Sequence, residues 1–99
     1  MDPLASFTHA TFVPLVGTEF RVRGDGGTLV LTLGATGDTG RPGGGEGRTQ
    51  FWLHFDGPLD LQLAQGTYEI SHDTLGEFML FLSPKGPADG GMRYEAAFA

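Results

Sequence analysis

The chain has 99 residues, 12 of them acidic and six basic, so its formal net charge is −6. This length fits a single domain with one core, and the negative charge disfavours binding to phosphate backbones. Because cysteine is absent, disulfides, thiolate nucleophiles and cysteine-based zinc sites are excluded. The commonest residue is glycine, with 17, and there are eight phenylalanines, a composition that favours a small closed β structure.

The N-terminal segment predicts no export signal. Residues 1–12 have no basic flank and no long apolar run, and no segment approaches the length of a membrane span. We therefore expect a protein made in the cytoplasm. Residues 7–17 place apolar side chains around Pro14 in a pattern too short for a regular helix. They predict a strand end, or one helical turn that plugs an open end of a barrel.

The first two strands are predicted at residues 20–23 and 28–35, which alternate between apolar and polar side chains. Residues 25–27 read Asp-Gly-Gly and predict the turn between them. The pattern predicts these inward side chains: Phe20, Val22, Leu29, Leu31 and Leu33.

A glycine-rich segment follows at residues 36–50, where no apolar residue could anchor the chain. This composition predicts a mobile hairpin loop. Glycines beside Arg41 and Arg48 invite comparison with a phosphate-binding loop. Such a loop leads into a helix N-terminus, however, whereas this one leads into a predicted strand at residues 51–56, so phosphate binding is not expected.

Four further strands are predicted at residues 51–56, 66–72, 77–83 and 92–98, with an irregular bridge at 59–65. Their predicted inward residues are Phe51, Leu53, Phe55, Tyr68, Ile70, Phe78, Leu80, Leu82, Met92, Tyr94, Ala96 and Phe98. The fold prediction is an all-β, single-domain, six-stranded antiparallel barrel or two-sheet sandwich, in which successive strands pair.

Three segments, residues 12–22, 65–87 and 92–98, resemble a small bacterial family of domains of unknown function. They read FVPLVGTEFRV, QGTYEISHDTLGEFMLFLSPKGP and MRYEAAF. The resemblance covers nearly the whole chain apart from the glycine-rich segment. It implies an association with phage-tail-collar-like proteins and supplies no catalytic residues, since the shared positions are of the turn and core type.

The residues with reactive side chains do not form a catalytic pattern. Ser71, His72 and Asp73 have the side chains of a hydrolytic triad, but adjacent strand residues point to opposite faces. His54 and Asp56 share a strand face and could hold a metal ion with His72, yet nothing in the sequence makes those strands neighbours. We therefore predict no enzyme activity, no metal site and no cofactor.

Apolar side chains on a second strand face, Trp52, Met79 and Phe81, break the rule that one face of each barrel strand is polar. Two interpretations remain open. The three residues could be buried, under the N-terminal segment or in the second sheet of a sandwich. They could instead form a contact surface for another copy or another protein, since aromatic and Met side chains are enriched in interface cores.

These observations predict a non-enzymatic structural or interaction module. Its partner would be a second copy or, given the resemblance, a tail-collar-like or fibre-like protein. The alternative is a barrel that binds a small ligand near its mouth, with Trp52, His54 and Tyr68 as the lining.

Overall fold

The computed structural model describes residues 7–24, 27–42, 49–88 and 90–98. A short helix, α1 (His9–Phe12), runs into a 3₁₀ turn (Val13–Leu15). Six strands follow: β1 (Glu19–Gly24), β2 (Gly27–Pro42), β3 (Thr49–Gly57), β4 (Gly66–His72), β5 (Gly76–Ala88) and β6 (Gly91–Phe98). Within these ranges no helix has the length and apolar character needed to cross a membrane. The predicted all-β fold is confirmed.

The six strands close into one barrel in the order β1-β2-β3-β6-β5-β4, with every pair antiparallel. The sequence pattern fits either a barrel or a two-sheet sandwich, and the structure shows that the fold is a closed barrel. Successive strands pair except for β3 and β4, so that part of the prediction is wrong. Residues 58–65 cross the barrel end instead of forming a hairpin, and the Leu63 amide there donates to the Tyr94 hydroxyl on β6 at 2.8 Å. Strands β3 to β6 thereby form a Greek key.

The barrel interior is filled by the side chains that alternate inward along each strand. Nearly all the predicted inward residues are buried, and Leu29 and Tyr68 are partly buried against the core. Each of the three inward side chains of β3, Phe51, Leu53 and Phe55, is at most 1% exposed. A barrel of this size has just enough interior for side chains, so its centre is a packed core.

One end of the barrel is closed by α1 and the 3₁₀ turn. Phe12 is fully buried, and its ring lies 5.9 Å from that of Phe51 and 5.8 Å from that of Phe98, measured between centroids. Downstream, the Gly17 amide donates to the Leu33 carbonyl of β2 at 2.7 Å, which ties the segment to the barrel wall. Of the two alternatives predicted for residues 7–17, a strand end or one helical turn that plugs an open end, the structure has the helical turn.

The glycine-rich loop is shorter than predicted, because residues 36–42 belong to β2 and 49–50 to β3. Polar side chains replace apolar packing there. The Thr36 hydroxyl donates to the Trp52 carbonyl at 2.9 Å, and Asp38 accepts from the Thr49 hydroxyl at 2.6 Å. Hydrogen bonds from Thr49 and from the Gly40 amide lower the pKa of Asp38. The rest of the predicted loop, 43–48, and residues 25–26 of the first predicted turn lie outside the described residues.

Candidate functional site

The outer surface of β5 carries the largest exposed apolar side chains found on a strand. Phe78, Leu80 and Leu82 point inward and are at most 4% exposed, whereas Met79 is 51% and Phe81 49% exposed. In the described part of the chain, neither the N-terminal segment from residue 7 onward nor a second sheet covers them, so of the two interpretations left open for these two residues, burial is wrong. Their exposure follows from the single-layer barrel, in which alternate residues of every strand face outward.

The strand next to β5 leaves these two side chains uncovered. In the β4–β5 register, Thr67 lies opposite Phe81 and Glu69 opposite Met79. Thr67 is small and exposed. The Glu69 carboxylate turns the other way, to the Arg23 guanidinium of β1 at 3.1 Å. Met79 and Phe81 therefore protrude from a convex surface.

Opposite charges flank the apolar pair along the strand. Glu77 is exposed and faces outward two residues before Met79. A β-bulge between Pro84 and Gly86 shifts the β5–β6 register, and Lys85 at this bulge remains exposed, with Nζ 3.9 Å from Glu95 Oε1. We call the five outward residues the β5 face: Glu77, Met79, Phe81, Ser83 and Lys85. It is acidic at one end, apolar in the middle and basic at the other end.

Trp52 does not belong to this surface. It lies on β3, separated from β5 by β6, so two strand spacings, about 10 Å, lie between them. Its indole rests against Gly37 of β2, where an added Cβ would collide with the ring. The ring also packs on the His54 imidazole, 4.3 Å away between centroids. The structure therefore separates the predicted contact residues, keeping Met79 and Phe81 together and placing Trp52 elsewhere.

The polar side chains of β3 are paired with β6. His54 Nε2 lies 3.0 Å from Glu95 Oε2, and Asp56 Oδ1 lies 3.4 Å from Arg93 Nε. His72 points into the barrel, away from both. Across the described part of the chain, no group of three or more His, Cys, Asp or Glu side chains could hold a metal ion. The ligand set weighed in the sequence, His54, Asp56 and His72, is thus not brought together.

The side chains proposed to line a small-ligand pocket are also apart. Trp52 and His54 lie on the outside of β3, whereas Tyr68 is on β4, across the ring, and its hydroxyl donates to the Ala64 carbonyl at 2.6 Å. A groove of about 430 Å³ lies between residues 60–63 and the ends of β1 and β2 that meet at Gly24 and Gly27. None of the three predicted side chains lines it.

His72 is buried in the barrel, and this burial was not predicted from the sequence. It is 6% exposed, and its Nδ1 accepts the amides of Thr74 at 3.0 Å and Leu75 at 3.4 Å. Burial lowers the pKa of His72. Asp73 points outward and pairs with Arg21 at 2.7 Å, so the triad side chains do not line up. The alternation that placed Tyr68 and Ile70 inward, continued by one step, would have identified His72.

Comparison with known proteins gives a family and no described function. Neither a curated protein nor a solved structure matched the chain. Residues 7–98 match a family described as a domain of unknown function (DUF6916), a span that takes in α1 and all six strands of the barrel. The chain belongs to this family of domains of unknown function.

Proposed function

We propose that this domain is a non-enzymatic protein-contact module whose contact surface is the β5 face. The observation that carries the proposal is the exposure of two large neighbouring apolar side chains, Met79 and Phe81, on a stretch of β5 that is paired with β4 at every residue from Gly76 to Leu82. Aromatic and Met side chains are enriched at the centre of protein interfaces, where they become desolvated on binding. Neither side chain contributes to the barrel interior.

Other exposed apolar residues support this choice of surface by contrast. Val30, which is 42% exposed, stands alone on β2, and single exposed apolar residues are ordinary. Leu59 and Leu61 belong to the irregular crossing outside the sheet. Among the strands that the structure describes, β5 alone presents two neighbouring outward apolar side chains that are each about half exposed, and a strand holds such side chains more precisely than a loop does.

For a heterologous partner, the proposal is supported by the sequence resemblance alone. That resemblance supports a bacterial setting and a tail-collar-like or fibre-like structural protein as the partner of this module. The partner's contact would be apolar at its centre, to match Met79 and Phe81, with charged groups toward its rim.

The test is the double change Met79→Ser and Phe81→Thr. Because both residues are about half exposed, the variant should fold and melt cooperatively. We expect it to lose association, measured by sedimentation velocity of the purified protein alone and with a purified tail-collar-like protein. Val30→Thr, a polar change at an isolated exposed position of β2, is the matched control and should behave as wild type.

Two outcomes would overturn the proposal. One is a wild-type protein that associates with neither itself nor the tail-collar-like protein. The other is a folded double variant whose association equals that of wild type.

A further inference from the structure

We propose that the β5 face binds a second copy of this chain, with the two β5 strands antiparallel about a twofold axis at Phe81. This inference rests on the proposed function, because it uses the same surface, and it adds the partner and the orientation. The support is the distribution of charge along the strand.

The charges of the β5 face lie the same number of residues from Phe81 on either side and are opposite in sign. Glu77 lies four residues before Phe81, and Lys85 lies four residues after it. A twofold axis through Phe81 therefore places Glu77 of each copy opposite Lys85 of the other. An isologous contact requires this kind of self-complementarity. A parallel arrangement would instead place Glu77 against Glu77 and Lys85 against Lys85, which repel.

The central residues are compatible with the same arrangement. At the axis, the two Phe81 rings would meet each other. Met79 of each copy would lie over Ser83 of the other, and a flexible thioether side chain packs readily over a small residue. Thr67 beside Phe81 on β4 is small, so a second barrel can approach without a clash there.

The flanking charges are within reach of each other. At roughly 3.3 Å per residue, Glu77 lies about 13 Å from the axis along the strand, and Lys85 lies somewhat closer to the axis because it is the extra residue of the β-bulge. Packed sheets cross at about −30°, which at that distance separates the two strands sideways by about 7 Å. Extended Lys and Glu side chains together span such a gap.

Both charges are also available to a second copy. In the described part of the chain Glu77 makes no ion pair, although it lines a cleft that includes Arg21 and Arg23. Lys85 Nζ has only the long 3.9 Å contact with Glu95, and its side chain is 50% exposed. Since the chain carries a net charge of −6, two copies repel overall, and local opposite charges select the orientation in which they can meet.

The experiment uses two charge reversals, Glu77→Lys and Lys85→Glu, in the full chain. Each variant alone would face itself with two like-charged pairs, and we expect its self-association to weaken at least about ten-fold relative to wild type. An equimolar mixture of the two variants restores both attractive pairs, as does the double variant on one chain. We expect dissociation constants for the mixture and for the double variant within about three-fold of wild type.

Sedimentation velocity from about 1 µM to about 1 mM would measure these constants. Glu19→Lys and Arg41→Glu are matched controls, because they change the net charge equally at exposed residues of β1 and β2 outside the β5 face. Their self-association should equal that of wild type. Thermal melting of every variant would establish that it is folded.

The outcomes separate this inference from the proposed function. If Met79→Ser with Phe81→Thr abolishes association while the charge reversals leave it unchanged, the surface is correct and the antiparallel self-pairing is wrong. A wild-type monomer that captures only the tail-collar-like protein would likewise overturn the self-pairing alone. Failure of the mixture of single variants to associate would overturn it too. If the apolar double variant associates as wild type does, both proposals fail.

Discussion

His72 Nε2 on β4 lies 2.9 Å from Thr18 Oγ1, and this hydrogen bond joins the segment that plugs the barrel to the turn between β4 and β5. Because Nδ1 accepts two backbone amides, the proton of the neutral ring is on Nε2, which donates to Thr18. Thr18 in turn donates to the Leu15 carbonyl at 2.6 Å. A buried histidine with both ring nitrogens satisfied thus connects two parts of the chain 54 residues apart.

The first prediction concerns the Thr18 hydroxyl. Thr18→Val keeps the shape of the side chain and removes both its hydrogen bonds, so the Nε2–H of buried His72 loses its acceptor. Leaving such a group unsatisfied should lower the free energy of unfolding by about 1–3 kcal/mol. Urea denaturation would measure this loss. Thr28→Val, at an exposed position of β2, should change stability by less than about 0.5 kcal/mol. Equal effects of the two changes would contradict the role assigned to Thr18.

The second prediction is a dependence of stability on pH through His72. Burial, the largest cause, and the nearby Arg21 charge lower the pKa of His72, while Asp73 raises it, and the net shift is downward from 6.5. The unfolded chain therefore binds a proton at a higher pH than the folded chain does. The contribution of His72 to the free energy of unfolding is therefore fully present above about pH 6.5. It is lost as the pH falls from that value through the lower pKa of the folded state.

His72→Gln tests this pH dependence. The Gln amide can accept the Thr74 amide and donate to Thr18, but it does not titrate. We expect urea unfolding to show a smaller loss of stability between about pH 7 and pH 5 in this variant than in wild type. The comparison of slopes cancels the contributions of the other histidines. Parallel slopes would mean that His72 titrates alike in the folded and unfolded chains.

Strand positions and facing directions could be predicted from the sequence because they depend on local alternation. Phe51, Leu53 and Phe55 alternate with polar or amphipathic residues, and period two fixes which side of a strand is buried. The exposure of Met79 and Phe81 could not be predicted in the same way. β5 is apolar on both faces, and only the number of layers in the fold decides whether its second face is covered.

Strand order and strand ends depended on interactions that the local pattern does not contain. The hydrogen bond from the Leu63 amide to the Tyr94 hydroxyl joins residues 31 apart and helps carry the chain across the barrel end, so β3 does not pair with β4. The extension of β2 to Pro42 uses Gly, Thr and Asp, residues with weak strand preference or none, and is stabilised by side-chain hydrogen bonds such as that of Thr36.

A third prediction tests whether α1 and the 3₁₀ turn, which close one end of the barrel, contribute to its core. Phe12 is fully buried among the rings of Phe7, Phe20, Phe51 and Phe98. Phe12→Ala should therefore lower the free energy of unfolding by about 3–5 kcal/mol, through lost burial and the cavity that remains. Val13→Ala, at the next residue and 50% exposed, should cost less than about 1 kcal/mol. If both changes cost equally little in urea denaturation, the helical turn does not contribute to the core.

The fourth prediction uses the chain's only tryptophan as a reporter of its own position. A Cβ at Gly37 would overlap the six-membered ring of Trp52 and lie 2.8 Å from Nε1, so Gly37→Ala must displace the indole. Because Trp52 is on the outer surface, the ring can swing into water at little cost. Its fluorescence emission should then move to longer wavelength, while the free energy of unfolding falls by no more than about 1 kcal/mol.

Gly66→Ala is the control, since a Cβ there meets its nearest neighbour, Tyr68 Cε2, at an ordinary 3.8 Å. Its emission should match that of wild type. Identical spectra for all three proteins would show that the indole does not rest on Gly37 in solution, and Trp52 would then be free to contribute to the surface beside β6.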